Sequence, residues 1–86
     1  MKLPVVLSSE HWVTHVFSSR AAREGGVVRR KIRDIERYVG LEPFLIELER
    51  RGYKAVENAG QLVIFCNREP VRIMTRRLTD RSVEKF

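Results

Sequence analysis

The sequence predicts a small single α+β domain: two to three helices followed by an antiparallel hairpin or a three-stranded meander. Three observations carry that expectation. Apolar residues recur at helical spacing through the first half of the chain. Two apolar-rich runs flank Asn58-Ala59-Gly60, a short polar loop with the chemistry of a hairpin turn. The chain has 86 residues, 43% of them hydrophobic and 33% charged, with few glycines and prolines. That is globular composition at single-domain length, and such a chain buries only roughly 60% of its unfolded surface.

The elements follow in order. Residues 3–7, "LPVVL", are apolar, and Pro4 makes them an edge strand or a packed arm. Residues 1–8 therefore read as an N-terminal arm. Ser8 and Ser9 offer an N-cap, with Glu10 in the first turn. Trp12, Val13, Val16 and Phe17 then share a helical face, Ala21 and Ala22 extend it, and Gly25-Gly26 stops it. Residues 27–39 read as a second helix, because Val28, Ile32, Ile35 and Val39 fall at i, i+4, i+7 and i+11. Gly40 suits its C′ position. The rival reading makes 27–33 a strand, since Val27, Val28 and Ile32 are β-branched.

Pro43 suits the first position of a third helix that buries Phe44, Leu45, Leu48 and Ile46 and ends at Gly52. In the hairpin, Leu62, Val63, Ile64 and Phe65 are consecutively apolar, which predicts a central strand buried on both faces. "PVRIMT", residues 70–75, reads as a third strand. Residues 77–86 are a tail or one helical turn capped by Thr79 or Asp80. The expected order, α-α-α-β-β-(β)-α, fits two architectures: a winged helix, or an α+β meander like that of small domains binding double-stranded RNA.

Net charge is +6, and most of the seventeen cations are arginine. Arginine forks suit phosphate and carboxylate, so the composition points to an anionic partner. On a helix over 27–39, Arg29, Arg33 and Arg37 form one ridge at i, i+4 and i+8, with Arg30 beside it. Arg72, Arg76 and Arg77 supply a second basic group. The functional reading is a phosphate-tracking surface built from these seven arginines. The plainer reading is a solvated face, with Asp34 and Glu36 partly compensating the charge. Against a major-groove role, the third helix carries Glu42, Glu47 and Glu49, which face phosphate unfavourably.

Catalytic chemistry finds no motif. His11 and His15 have a metal-binding i, i+4 spacing, but a third ligand must be Cys66 or Glu10, so no metal site and no cofactor are expected. A single cysteine excludes an internal disulfide; Cys66 reads as a buried thiol in a reducing, cytoplasmic setting. No apolar run reaches the length of a membrane span. Phe65 on its strand could stack on a base, but the apolar residues around it read it as core more often than as a platform, and Tyr53 is the exposed aromatic expected.

The segments "GGVVRRKIRDIERYVG" and "RRGYKAVENAGQLVIFCN" resemble small basic bacterial proteins, some of which are labelled phosphoribosylanthranilate isomerase. The resemblance covers most of residues 11–74. It implies no catalytic residue here, because that isomerase is a TIM barrel of at least ~200 residues. The helix, Gly-Tyr and hairpin also resemble short toxin domains of the double-stranded-RNA-binding type. The strand histidine that such toxins use is absent from "QLVIFCN". The expected role is therefore non-enzymatic binding of nucleic acid, DNA or RNA, or docking of an acidic protein.

Overall fold

The computed structural model describes residues 8–75. They form four helices and a three-stranded antiparallel sheet: α1 (Ser9–Phe17), α2 (Arg20–Arg23), β1 (Val27–Lys31), α3 (Ile32–Tyr38), α4 (Leu41–Arg51), β2 (Lys54–Asn58) and β3 (Gln61–Phe65). The expected arm (residues 3–7), the 77–86 tail with Thr79 and Asp80, and Arg76 and Arg77 lie outside the described residues.

Ser8 caps α1 as its position suggests: its Oγ accepts from the His11 amide at 3.0 Å. The helix does not run on through Ala21 and Ala22. It closes at Ser18, and Ser19 caps the separate turn α2 by accepting from the Ala22 amide at 3.3 Å. Gly25, at φ +77°, then turns the chain into β1.

The structure corrects the helix expected over 27–39. Val27–Lys31 is a strand, and the helix starts only at Ile32. Both periods put Val28 and Ile35 on an inward face, and with the first five residues extended both are buried. Pairing decides it. β1 lies along β3 with Val28 opposite Ile64 and Arg30 opposite Leu62. Beyond Lys31 the chain bends, and the Ile32 amide donates to the Gly60 carbonyl at 2.9 Å. Lys31 makes no side-chain cap, so this long-range bond satisfies one of the first amides of α3.

α3 and α4 meet at Gly40, whose φ of +96° allows the sharp turn, and whose amide closes α3 by donating to the Ile35 carbonyl at 2.8 Å. α4 begins two residues before Pro43, so proline stands in its first turn, where its missing N–H costs no helical bond. Phe44 and Leu48 are buried, Leu45 half-buried, and Ile46, expected inside, is 61% exposed. The segment 70–75, expected as a strand, is irregular. The place it would take in a meander, the second edge of β3, is held by β1, giving the order β1-β3-β2.

β3 is central, and Leu62, Val63 and Ile64 are all buried, as their continuous apolar run implies. The helices pack on one face of the sheet. Val28, Leu62 and Ile64 join Trp12, Val16, Ala22, Ile35, Phe44, Leu48 and Cys66 in one core. Phe44 is fully buried between Trp12, edge-on at 6.0 Å, and Phe17, stacked at 6.0 Å. Tyr53 is half-buried beside Phe17 at 5.7 Å, a correction to the exposed aromatic expected there.

The hairpin loop places Ala59 at φ +53° and Gly60 at φ +77°, the two-residue turn in which both centres are left-handed. Alanine is strained there; asparagine tolerates it. Ala59→Asn is expected to stabilise the domain by about 0.5–1 kcal/mol, raising Tm by about 4 °C in calorimetry. An unchanged or lowered Tm would contradict the turn.

Candidate polyanion interface

A strand inside the sheet sends alternate side chains to opposite faces. The ladder register therefore sorts the hairpin and β1 residue by residue. The helix-covered face holds Val28, Ile64 and Ala55 in one row and Arg30, Leu62 and Glu57 in the next. The other face holds three rows: Val27, Phe65 and Lys54; Arg29, Val63 and Val56; Lys31, Gln61 and Asn58. Val27 and Val56 are 46% and 42% exposed, so this second face is open to solvent. Val63 is buried there outside the helical core, flanked by Arg29 and Val56.

The open face carries Arg29, Lys31 and Lys54 and no carboxylate. Arg29 and Lys31 stand roughly 7 Å apart along β1, and Lys54 lies in the Val27 row, roughly 10 Å across the sheet and one row along from Arg29. All three are exposed. Gln61 and Asn58 add amide donors and acceptors at one end, and Phe65, half-buried, stands at the other.

The arginine ridge expected on a single helix is not formed. Arg29 and Arg30 are neighbours in a strand and face opposite ways. Arg30 is half-buried on the helix side, and its Nη1 donates to the Arg29 carbonyl at 2.7 Å. Arg33 and Arg37 do share α3 at i, i+4, both exposed. Arg33 Nε is 3.9 Å from Asp34 Oδ1, and the Arg37 guanidinium lies 5.6 Å over the Tyr38 ring. Arg72 is exposed in the irregular segment after β3. The structure thus brings Arg29 together with Lys31 and Lys54, two residues the helical reading passed over. Their signal was the period-2 pattern Val27, Arg29, Lys31, legible once the segment is read as a strand.

The exposed side of α4 has a different character. Glu42, Ile46 and Glu49 follow one another at i, i+4 and i+7 on a solvent-facing stripe. Glu47 is engaged elsewhere: Arg50 holds it by two bonds of 3.1 and 2.7 Å, and Arg51 by one of 2.7 Å. These hydrogen bonds, Arg50 first, hold its carboxyl below the usual glutamate range against the opposing effect of burial.

His11 and His15 are both exposed on α1, and among the described residues no group of three metal-ligating side chains converges. Cys66 is 3% exposed, and burial pushes its thiol pKa up, which leaves it protonated and a poor nucleophile. Among the described residues no helix is long and apolar enough to cross a membrane. No family model matches the chain, and neither a curated protein nor a solved structure matches it.

Proposed function

We propose that this domain binds single-stranded nucleic acid on the open face of its sheet. The observation that carries the reading is that face's composition: three cations, two amides, an aromatic ring and no carboxylate. Lysine and arginine neutralise phosphates and release their counterions. Phe65 offers a ring on which a base can stack, and single strands splay their bases in a way duplexes do not. Arg33, Arg37 and Arg72 extend the long-range attraction rather than form the contact surface, and Arg76 and Arg77, beyond the described residues, add to the positive charge.

The element order, helices and a strand followed by two helices and a hairpin in the order β1-β3-β2, supports a winged-helix reading. In that architecture α4 would enter the major groove. Glu42 and Glu49 on its exposed stripe disfavour that mode and favour the sheet instead. A second reading assigns the same open face to an acidic protein; the exposed Val27 and Val56 favour it by offering a dry contact between the cations.

The test is fluorescence anisotropy with labelled single- and double-stranded DNA and RNA across a salt series. Single strands should bind more tightly than duplexes. The Arg29→Ala/Lys31→Ala/Lys54→Ala variant should flatten the slope of log K against log salt by about 2. The Arg33→Ala/Arg37→Ala variant should change it far less. Absence of binding at low salt, or loss only in the α3 variant, would overturn the sheet reading; the first result hands the face to an acidic protein.

A further inference from the structure

A second group of arginines stands apart from the open sheet face. Arg50, Arg51, Tyr53, Cys66, Asn67 and Arg68 line an open depression of about 530 Å³ where α4 ends and the chain leaves β3. Each arginine is held there by a specific contact. The Arg51 guanidinium lies 4.3 Å over the Phe17 ring while its Nε donates to Glu47. Arg68 lies across Gly52, and its Nε donates to the Arg51 carbonyl at 3.2 Å. Asn67 anchors the segment carrying Arg68: its Nδ2 donates to the Gly25 carbonyl at 2.9 Å, and its Oδ1 accepts from the Glu69 amide at 2.9 Å.

The end of a helix normally repels an anion through its free carbonyls. Here most are occupied: the Leu48 carbonyl accepts from Tyr53, the Glu49 carbonyl from Gly52 and the Arg51 carbonyl from Arg68. The Nη nitrogens of Arg51 and Arg68 have no partner among the described residues. Three guanidiniums line the pocket, and among the described residues the one carboxylate paired with them is Glu47, beside it, which offsets one of the three positive charges there and leaves two without a counter-charge. Cys66, protonated, adds no negative charge.

We infer that this pocket binds a phosphate monoester. Its dianion matches the two uncompensated charges, and its three oxygens accept from the free forks of Arg51 and Arg68, with Arg50 and Tyr53 at the rim. A carboxylate would leave one charge unmatched. The same group is carried by the 5′ end of a nucleic-acid strand and by a free phosphomonoester.

The test follows the arginine Nε–Hε resonances of the full chain by NMR, during titration with inorganic phosphate and with a nucleoside 5′-monophosphate. The resonances of Arg51 and Arg68 should shift saturably with both probes. Arg68→Gln, at an exposed position, should weaken the monophosphate response about tenfold, near 1.4 kcal/mol. The Arg29→Ala/Lys31→Ala/Lys54→Ala variant should keep the response unchanged, so this pocket and the sheet interface stand or fall separately. A parallel anisotropy arm compares one oligonucleotide with and without its 5′-phosphate. Tighter binding of the phosphorylated strand assigns the pocket to strand ends; equal binding with saturable monophosphate shifts assigns it to a free phosphomonoester. Resonances that do not move, or that move equally in Arg68→Gln, overturn the inference.

Discussion

Phe44→Ala is expected to lose about 3–5 kcal/mol of folding stability, which a domain of this size barely survives. Phe44 is fully buried. It projects from α4 into the gap between Trp12 and Phe17 of α1, with ring centroids at 6.0 Å in both cases. Truncation removes the apolar transfer of the ring and leaves a cavity between α4 and α1, whose Trp12 and Phe17 rings then lose their partner. Trp12 also stacks on Tyr38 at 5.6 Å, so the loss reaches the end of α3. In urea, with m near 1 kcal/mol/M, the midpoint should fall by about 3 M or more. Phe44→Leu should cost much less, because most of the volume stays. A midpoint shift below about 1 M in the alanine variant would show that the aromatic cluster is not what holds α1 to α4.

Gly52→Val is expected to cost more than about 2 kcal/mol and, in the same stroke, to empty the arginine pocket. Gly52 caps α4 at φ +80°, where a β-branched residue is strained by about 1–3 kcal/mol. A Cβ there would also sit 3.1–3.3 Å from Cγ, Nε and Cδ of Arg68. The side chain that must give way is the one hydrogen-bonded to the Arg51 carbonyl. Gly60 supplies the control: its φ is +77°, and no atom stands within 4 Å of the place a Cβ would take. Gly60→Val should therefore show the backbone strain alone, and its melting curve should shift less. Equal shifts for the two variants would mean that Arg68 does not lie over Gly52.

The parts legible in the sequence were those specified by residues close together along the chain. Ser8 caps α1 through an amide three residues on. Gly25, Gly40, Gly52 and Gly60 all take positive φ where the chain turns or a helix ends. The continuous apolar run of β3 marks a strand with neighbours on both sides. β1 stood only as the rival to a helix, because its strand character comes from a partner far along the chain. Val28 and Ile35 fit a helical stripe equally well, and nothing local marks the bend between Lys31 and Ile32. That single ambiguity also hid the candidate interface. Read as a helix, the segment lines up Arg29, Arg33 and Arg37; read as a strand, it pairs Arg29 with Lys31 and brings in Lys54 from across β3. The pocket at Gly52 was invisible for a similar reason, since Arg68 reaches back to Arg51 over a fold that local spacing does not encode.

The placement of β1 has a kinetic meaning. β2 and β3 are joined by a two-residue turn, and such hairpins form in about 1–10 μs. β1 pairs with the same strand from before both α3 and α4, so its ladder closes a long loop and loses that entropy before any contact offsets it. The strand that brings Arg29 and Lys31 to the open face is thus the late arrival in assembly. A chain with only its hairpin formed presents Lys54 alone. Under the proposed function, affinity for a polyanion would belong to the completed fold, and a bound strand would favour the closed ladder over every partly assembled state.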